Sequence, residues 1–143
     1  MRRDNSADQV IAGMEALTGI FRALLWEQAK EHGLSAMQVQ LLLHIARSQQ
    51  MTITALAKVF MLAKATISVA VKSLESKGHI ARHYTGSDRR SYSISLTDSG
   101  ARIAHVSGFY LEPVKKIVAK IKPEEREILL RNIAGIIQKI QVT

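Results

Sequence analysis

The stretch LAKVFMLAKATISVAVKSLESKGHIARHYTGSDRRSYSISLTDSG, residues 56–100, settles the architecture, because within it the spacing of apolar residues changes character. Over residues 64–77, Ile67, Ala70, Val71 and Leu74 recur at i, i+3, i+4 and i+7, the stripe of a helix that buries one face. Gly78 stops it. Beyond that glycine the period shortens to two: Ile80, Arg82 and Tyr84 mark one strand, Tyr92, Ile94 and Leu96 a returning one, and residues 85–89 the turn between them. The outward face of the helix carries Lys64, Ala65, Thr66, Ser68, Val69, Lys72 and Ser73, which are small, polar or basic, with no acid before Glu75.

Upstream, residues 51–60 read as a short extended lead-in and a two-turn helix that starts near Thr52 or Thr54 and buries Ala55, Leu56, Val59 and Phe60. Before it, Val10, Met14, Leu17, Phe21, Leu24, Leu25 and Ala29 line a long amphipathic helix from Ser6, stopped by the glycine of HGLS at residues 32–35. Ser35 caps a second helix bearing Met37, Leu41, Leu42 and Ile45. Downstream, Thr97 caps a helix expected from Asp98 to about Lys122; Pro113 inside it removes a backbone hydrogen bond, so a kink or break is expected around Leu111. A last helix starts on Pro123, places Glu124, Glu125 and Glu127 at the positive end of its dipole, and carries Leu129, Ile133, Ile136, Ile137 and Ile140. The expected class is mainly α with one small β-hairpin.

A chain of 143 residues suits one domain with a substantial core. Its net charge of +8 is uneven: residues 52–102 hold eight Lys or Arg against three Asp or Glu, whereas residues 1–51 balance at five each. A localised basic patch points to a polyanionic partner. With no cysteine, disulfides, thiolate nucleophiles and thiol switches are excluded. The polar start DNSADQ lacks the apolar core of a signal peptide and no apolar run reaches the length of a membrane span, so a cytoplasmic protein with no membrane partner is expected. No phosphate loop, paired carboxylates, metal-ligand spacing or nucleophile motif appears, so no enzyme, metal site or cofactor is expected. The five histidines are scattered and read as surface residues.

A short helix, a tight turn, a helix with a small and basic outer face and an arginine-tipped hairpin make up a winged helix-turn-helix. The DNA major groove admits one helix, whose inserted face must avoid bulky acids and offer short donors to bases and phosphates. The hairpin tip reaches a minor groove, where negative potential favours arginine. Residues 56–100 resemble the DNA-binding core of the MarR family of bacterial transcriptional regulators. The likeness is carried by LA in the first motif helix, TIS in the second, LESKGHIAR after it, and DRR followed by SLTDSG. With the flanking helices it extends over the whole chain, as one domain in which residues 35–97 form the DNA-binding lobe and residues 1–34 and 98–143 the helical dimerisation region.

The resemblance implies a repressor that binds a pseudo-palindromic operator in double-stranded DNA as a homodimer. It implies DNA contacts from Lys64, Ala65, Thr66, Ser68, Val69 and Lys72 on the recognition helix and from Arg82, Asp88, Arg89 and Arg90 in the wing. In that scheme Arg90 enters the minor groove and Asp88 braces it. Val10, Leu17, Leu129, Ile133, Ile136, Ile137 and Ile140 are the dimerisation residues. A small anionic or phenolic ligand is expected near Phe21, Trp26, Met37, Leu41, His105 and Phe109. Three positions depart from the family pattern: Met61 replaces the usual turn glycine, Ala63 a common capping serine, and Val69 a frequent arginine, so that base contact there is apolar or absent. These departures keep open a second reading, a winged-helix module that binds protein or RNA without specific DNA recognition.

Overall fold

The structure is a computed structural model that describes residues 4–87 and 91–142. In chain order it comprises α1 (Ser6–Glu31), α2 (Ala36–Ser48), β1 (Met51–Thr52), α3 (Ile53–Phe60), α4 (Lys64–Ser76), β2 (Ile80–Tyr84), β3 (Tyr92–Leu96), α5 (Asp98–Ser107), α6 (Glu112–Val118) and α7 (Pro123–Val142). The mainly helical class with a small wing is observed. The chain divides into two compact units, Met1–Tyr110 and Leu111–Thr143.

In the first unit the core is built where α2, α4 and the sheet converge. Val39, Leu41, Leu42 and Ile45 of α2, Leu56 of α3, Ile67, Val71 and Leu74 of α4 and Ile94 of β3 are all fully buried. The stripe expected on α4 is therefore the buried one. α1 joins this core only through Leu25 and Ala29, near its C-terminal end, while Val10, Ile11, Leu17 and Ile20 are about half exposed. On α3, Ala57 is buried and Val59 is 49% exposed, the reverse of the expectation for Val59. An eight-residue helix presents one narrow face, and here it is centred on Leu56 and Ala57.

Local chemistry fixes the boundaries. Ser35 caps α2 through a reciprocal box in which its hydroxyl accepts from Gln38 N and the Gln38 side chain accepts from Ser35 N. Thr52 caps α3, and its neighbour Met51 pairs with Ile94, so the extended lead-in is a third strand in a sheet of order β1-β3-β2. The helix expected to run from Asp98 to about Lys122 is broken: α5 ends at Ser107, and α6 begins at Glu112 with Pro113 in its first turn, where a missing N–H costs nothing.

In the second unit, α7 begins on Pro123 with Glu124 and Glu125 in its first turn. Its side chains Ile128, Leu129, Leu130, Ile133, Ile136, Ile137 and Ile140 are 39–68% exposed.

Candidate nucleic-acid interface

The candidate interface is built on α4 and the hairpin behind it. Successive helices α3 and α4 turn through 115° about residues 61–63, within the range of helix-turn-helix units. The turn is closed by two backbone bonds, Leu62 N to Ala57 O at 3.1 Å and Met61 N to Lys58 O at 3.3 Å, with Met61 in the left-handed region at φ 52 and ψ 43. The same pair of bonds ends α4 at Gly78 (His79 N to Leu74 O, Gly78 N to Glu75 O, both 2.9 Å), where φ is 80. Ala63 has the extended backbone of an N-cap but makes no side-chain cap.

With Ile67, Ala70, Val71 and Leu74 turned inward, the outward face of α4 is fixed by geometry. Lys64, Ala65, Thr66, Val69 and Lys72 are exposed, and Ser68 is half-buried. The six expected recognition-helix residues thus lie together on or beside one surface. Glu75, the lone acid of α4, is neutralised: Arg82 of β2 donates through Nε to its carboxylate at 2.6 Å, and the Arg82 guanidinium stacks 4.5 Å from the Tyr92 ring centroid. Arg82 was expected among the wing's DNA contacts. The structure places it as a clasp between β2 and α4. Asp88, Arg89 and Arg90 lie outside the described residues.

Between the start of α4 and the base of the wing runs a groove of about 490 Å³, which Lys64 and Ser68 share with Thr52, Thr54, Thr85, Ser91 and Ser93. A lysine among hydroxyls, of which those of Thr85 and Ser93 already donate to Ser91 O and Gln50 Oε1, offers donors that phosphate oxygens accept. Sequence reasoning missed most of these hydroxyls, because only the β1–β3 and β2–β3 pairings bring residues 52, 85, 91 and 93 beside α4.

The wing is tied to α5 at one junction. Thr97 donates its hydroxyl to Gly78 O at 2.6 Å and accepts from Gly100 N at 3.2 Å, while Thr97 N donates to His79 O at 3.1 Å. A Cβ on Gly100 would lie 2.0 Å from His79 O, so no side chain fits there. The SLTDSG stretch thereby acquires a physical reason. Beside it, His79 Nδ1 pairs with Ser99 Oγ at 2.7 Å, and burial, with the charges of Lys77 and His32, holds the imidazole below its ordinary pKa.

The residues expected near a ligand separate. His105 and Phe109 meet edge to face at 5.6 Å and line a cleft of about 360 Å³ with Leu43, Ala46 and Arg47. Trp26 is 55% exposed with the Lys30 ammonium 5.8 Å from its ring, Met37 packs on the core, Phe21 is half-buried, and Leu41 is fully buried. Arg47 was not foreseen at the cleft, since only the packing of α2 on α5 brings it to His105.

A sequence model of the MarR family matches residues 32–91, a span that begins after α1, ends before β3 and holds the turn, α4 and the first strand of the wing. Over that span the chain is similar to the MarR family. It is 24% identical over 106 residues to the HTH-type transcriptional repressor YetL of Bacillus subtilis, a match that takes in 73% of this chain and 64% of YetL. It superposes on FabT of Streptococcus pneumoniae, solved in complex with DNA, with a TM-score of 0.75 and 24% identity over 92% of this chain and 97% of the other. Against Staphylococcus aureus MarR, solved with salicylate and kanamycin, the TM-score is 0.79 at 16% identity, covering 97% and 94%. Identities this low carry the fold.

Proposed function

We propose that the protein is a cytoplasmic, sequence-specific DNA-binding transcriptional regulator, not an enzyme. In this reading it is a repressor that holds a pseudo-palindromic operator as a homodimer and releases it when a small anionic or phenolic ligand binds. The observation that carries the reading is the exposed, acid-free outer face of α4 from Lys64 to Lys72, backed by a hairpin clasped to the same helix. Lys64, Thr66, Ser68 and Lys72 supply donors to phosphates and base edges, and the wing's Arg90, braced by Asp88, enters the adjacent minor groove. YetL's description as a repressor and FabT's solution with DNA support the role.

The apolar faces of α1 and α7 are the dimer surface of this reading. Two copies related by a two-fold set two recognition helices about one DNA turn apart. Among the described residues no single helix is long and apolar enough to cross a membrane. For the ligand, the cleft with Arg47, His105 and Phe109 offers a cation, a polar handle and an aromatic wall.

The test is the affinity of the purified protein for the duplex upstream of its own gene against a scrambled duplex, at two salt concentrations, with Arg90→Ala alongside. Preference of about 10³-fold or more for the native duplex, largely lost in the variant, is expected. Equal binding to both duplexes that collapses with salt would leave only electrostatic attraction and favour the interaction-module reading, for which the exposed Met61 and Val69 would then speak.

A further inference from the structure

Val69 is 72% exposed at the middle of the recognition face. With Ile67, Val71 and Leu74 fully buried, 3.6 residues per turn put Val69 almost opposite the buried seam, on the ridge that penetrates deepest into whatever α4 enters. Ala65, also exposed, stands one turn before it on the same ridge. Lys64 and Lys72 flank this apolar ridge, and the one acid of the helix is held by Arg82, so the surroundings suit a polyanion and not an apolar protein surface. A β-branched side chain in a helix keeps one strongly preferred rotamer, so the Val69 methyls are presented in a fixed place.

We infer that Val69, with Ala65 beside it, reads the C5-methyl group of a thymine in each half-site of the operator. This rests on the DNA-binding reading above and adds to it the base that is recognised. Of the four bases only thymine shows a methyl group in the major groove, whereas the Ser and Thr hydroxyls nearby pair with more than one base and the lysines donate to phosphate or to guanine. The ridge therefore selects by shape and apolar contact at a position where a longer polar side chain would select by hydrogen bonds.

The experiment is selection of bound sequences from a random duplex pool by the full-length protein, followed by replacement of each half-site thymine in turn with deoxyuridine, which deletes the methyl and keeps every hydrogen-bonding group. At one thymine per half-site the affinity should fall about four-fold, and about fifteen-fold when both half-sites are changed, the loss expected for one buried methyl each. 5-Methylcytosine should outbind cytosine at the same place. Val69→Ser, at an exposed position where folding is unaffected, should bind the thymine and deoxyuridine duplexes alike. An enriched operator that tolerates deoxyuridine at every position, or a Val69→Ser protein that still discriminates, would overturn the inference and leave the regulator reading standing. If no sequence is enriched, both fall.

Discussion

At Met61 the backbone adopts the left-handed conformation that Gly33 and Gly78 adopt at the ends of α1 and α4, with φ of 52, 65 and 80 respectively. For a side chain with a Cβ that conformation costs about 1–2 kcal/mol. Met61 offsets none of this by packing, because it is 89% exposed. Met61→Gly should therefore raise the free energy of unfolding by about 0.5–1 kcal/mol, the strain relieved less the extra entropy of an unfolded glycine, read as a shift in urea midpoint at unchanged slope. An unchanged or lowered midpoint would show that the turn is not strained. The sequence already marked residue 61 as lacking the glycine; it could not show that the backbone keeps the glycine conformation regardless, since that follows from the bonds to Ala57 and Lys58. The clasp made by Arg82 was hidden from the sequence for a similar reason. Its role depends on Glu75 seven residues earlier, and the β2–α4 packing that joins them leaves no trace in local spacing.

Among the elements, the junction of α4, the wing and α5 bears the most constraint. Gly100→Ala would force a methyl against the His79 carbonyl, and a loss of about 1–3 kcal/mol in stability is expected, measurable by thermal or urea unfolding, with the hairpin displaced from α5. A neutral outcome would mean that the junction yields easily. The same site has a pH signature. Because the folded state holds the His79 pKa below its unfolded value near 6.5, the unfolded chain takes up the proton first; the stabilisation is complete above about pH 6.5 and is lost as pH falls through the lowered folded value. His79→Asn, which keeps a partner for Ser99, should flatten the dependence of melting temperature on pH between about 7 and 5. A slope unchanged by that substitution would assign the effect to other groups. Elements with local signals, such as the Ser35 and Thr97 caps, the α4 stripe and the hairpin alternation, were legible in the sequence. The extended backbone of the two residues of β1 was legible as well, but their place in the sheet was not, because it comes from pairing with β3.

For the whole molecule, the exposed isoleucines of α7 and the exposed first turns of α1 are too apolar to remain in water. The protein should sediment as a dimer at micromolar concentration, and Ile133→Glu combined with Ile137→Glu should shift it to monomer while helix content is retained. A monomeric unsubstituted protein would refute the pairing. The sequence displayed this stripe clearly, but an apolar stripe looks the same whether it covers its own core or a second chain, and only its exposure separates the two. α1 has one more property. Its 26 residues extend about 39 Å, and among the described residues of the first unit its buried side chains, Leu25 and Ala29, and the bond from Lys77 Nζ to Gly33 O that links it to the foot of α4 all lie near one end. A rod clamped at one end is a lever, and a tilt of about 5° sweeps its far end through roughly 3.4 Å, the rise of a single base step. A partner gripping the distal half of α1 would thus set the register of α4 on DNA with an angular precision of a few degrees.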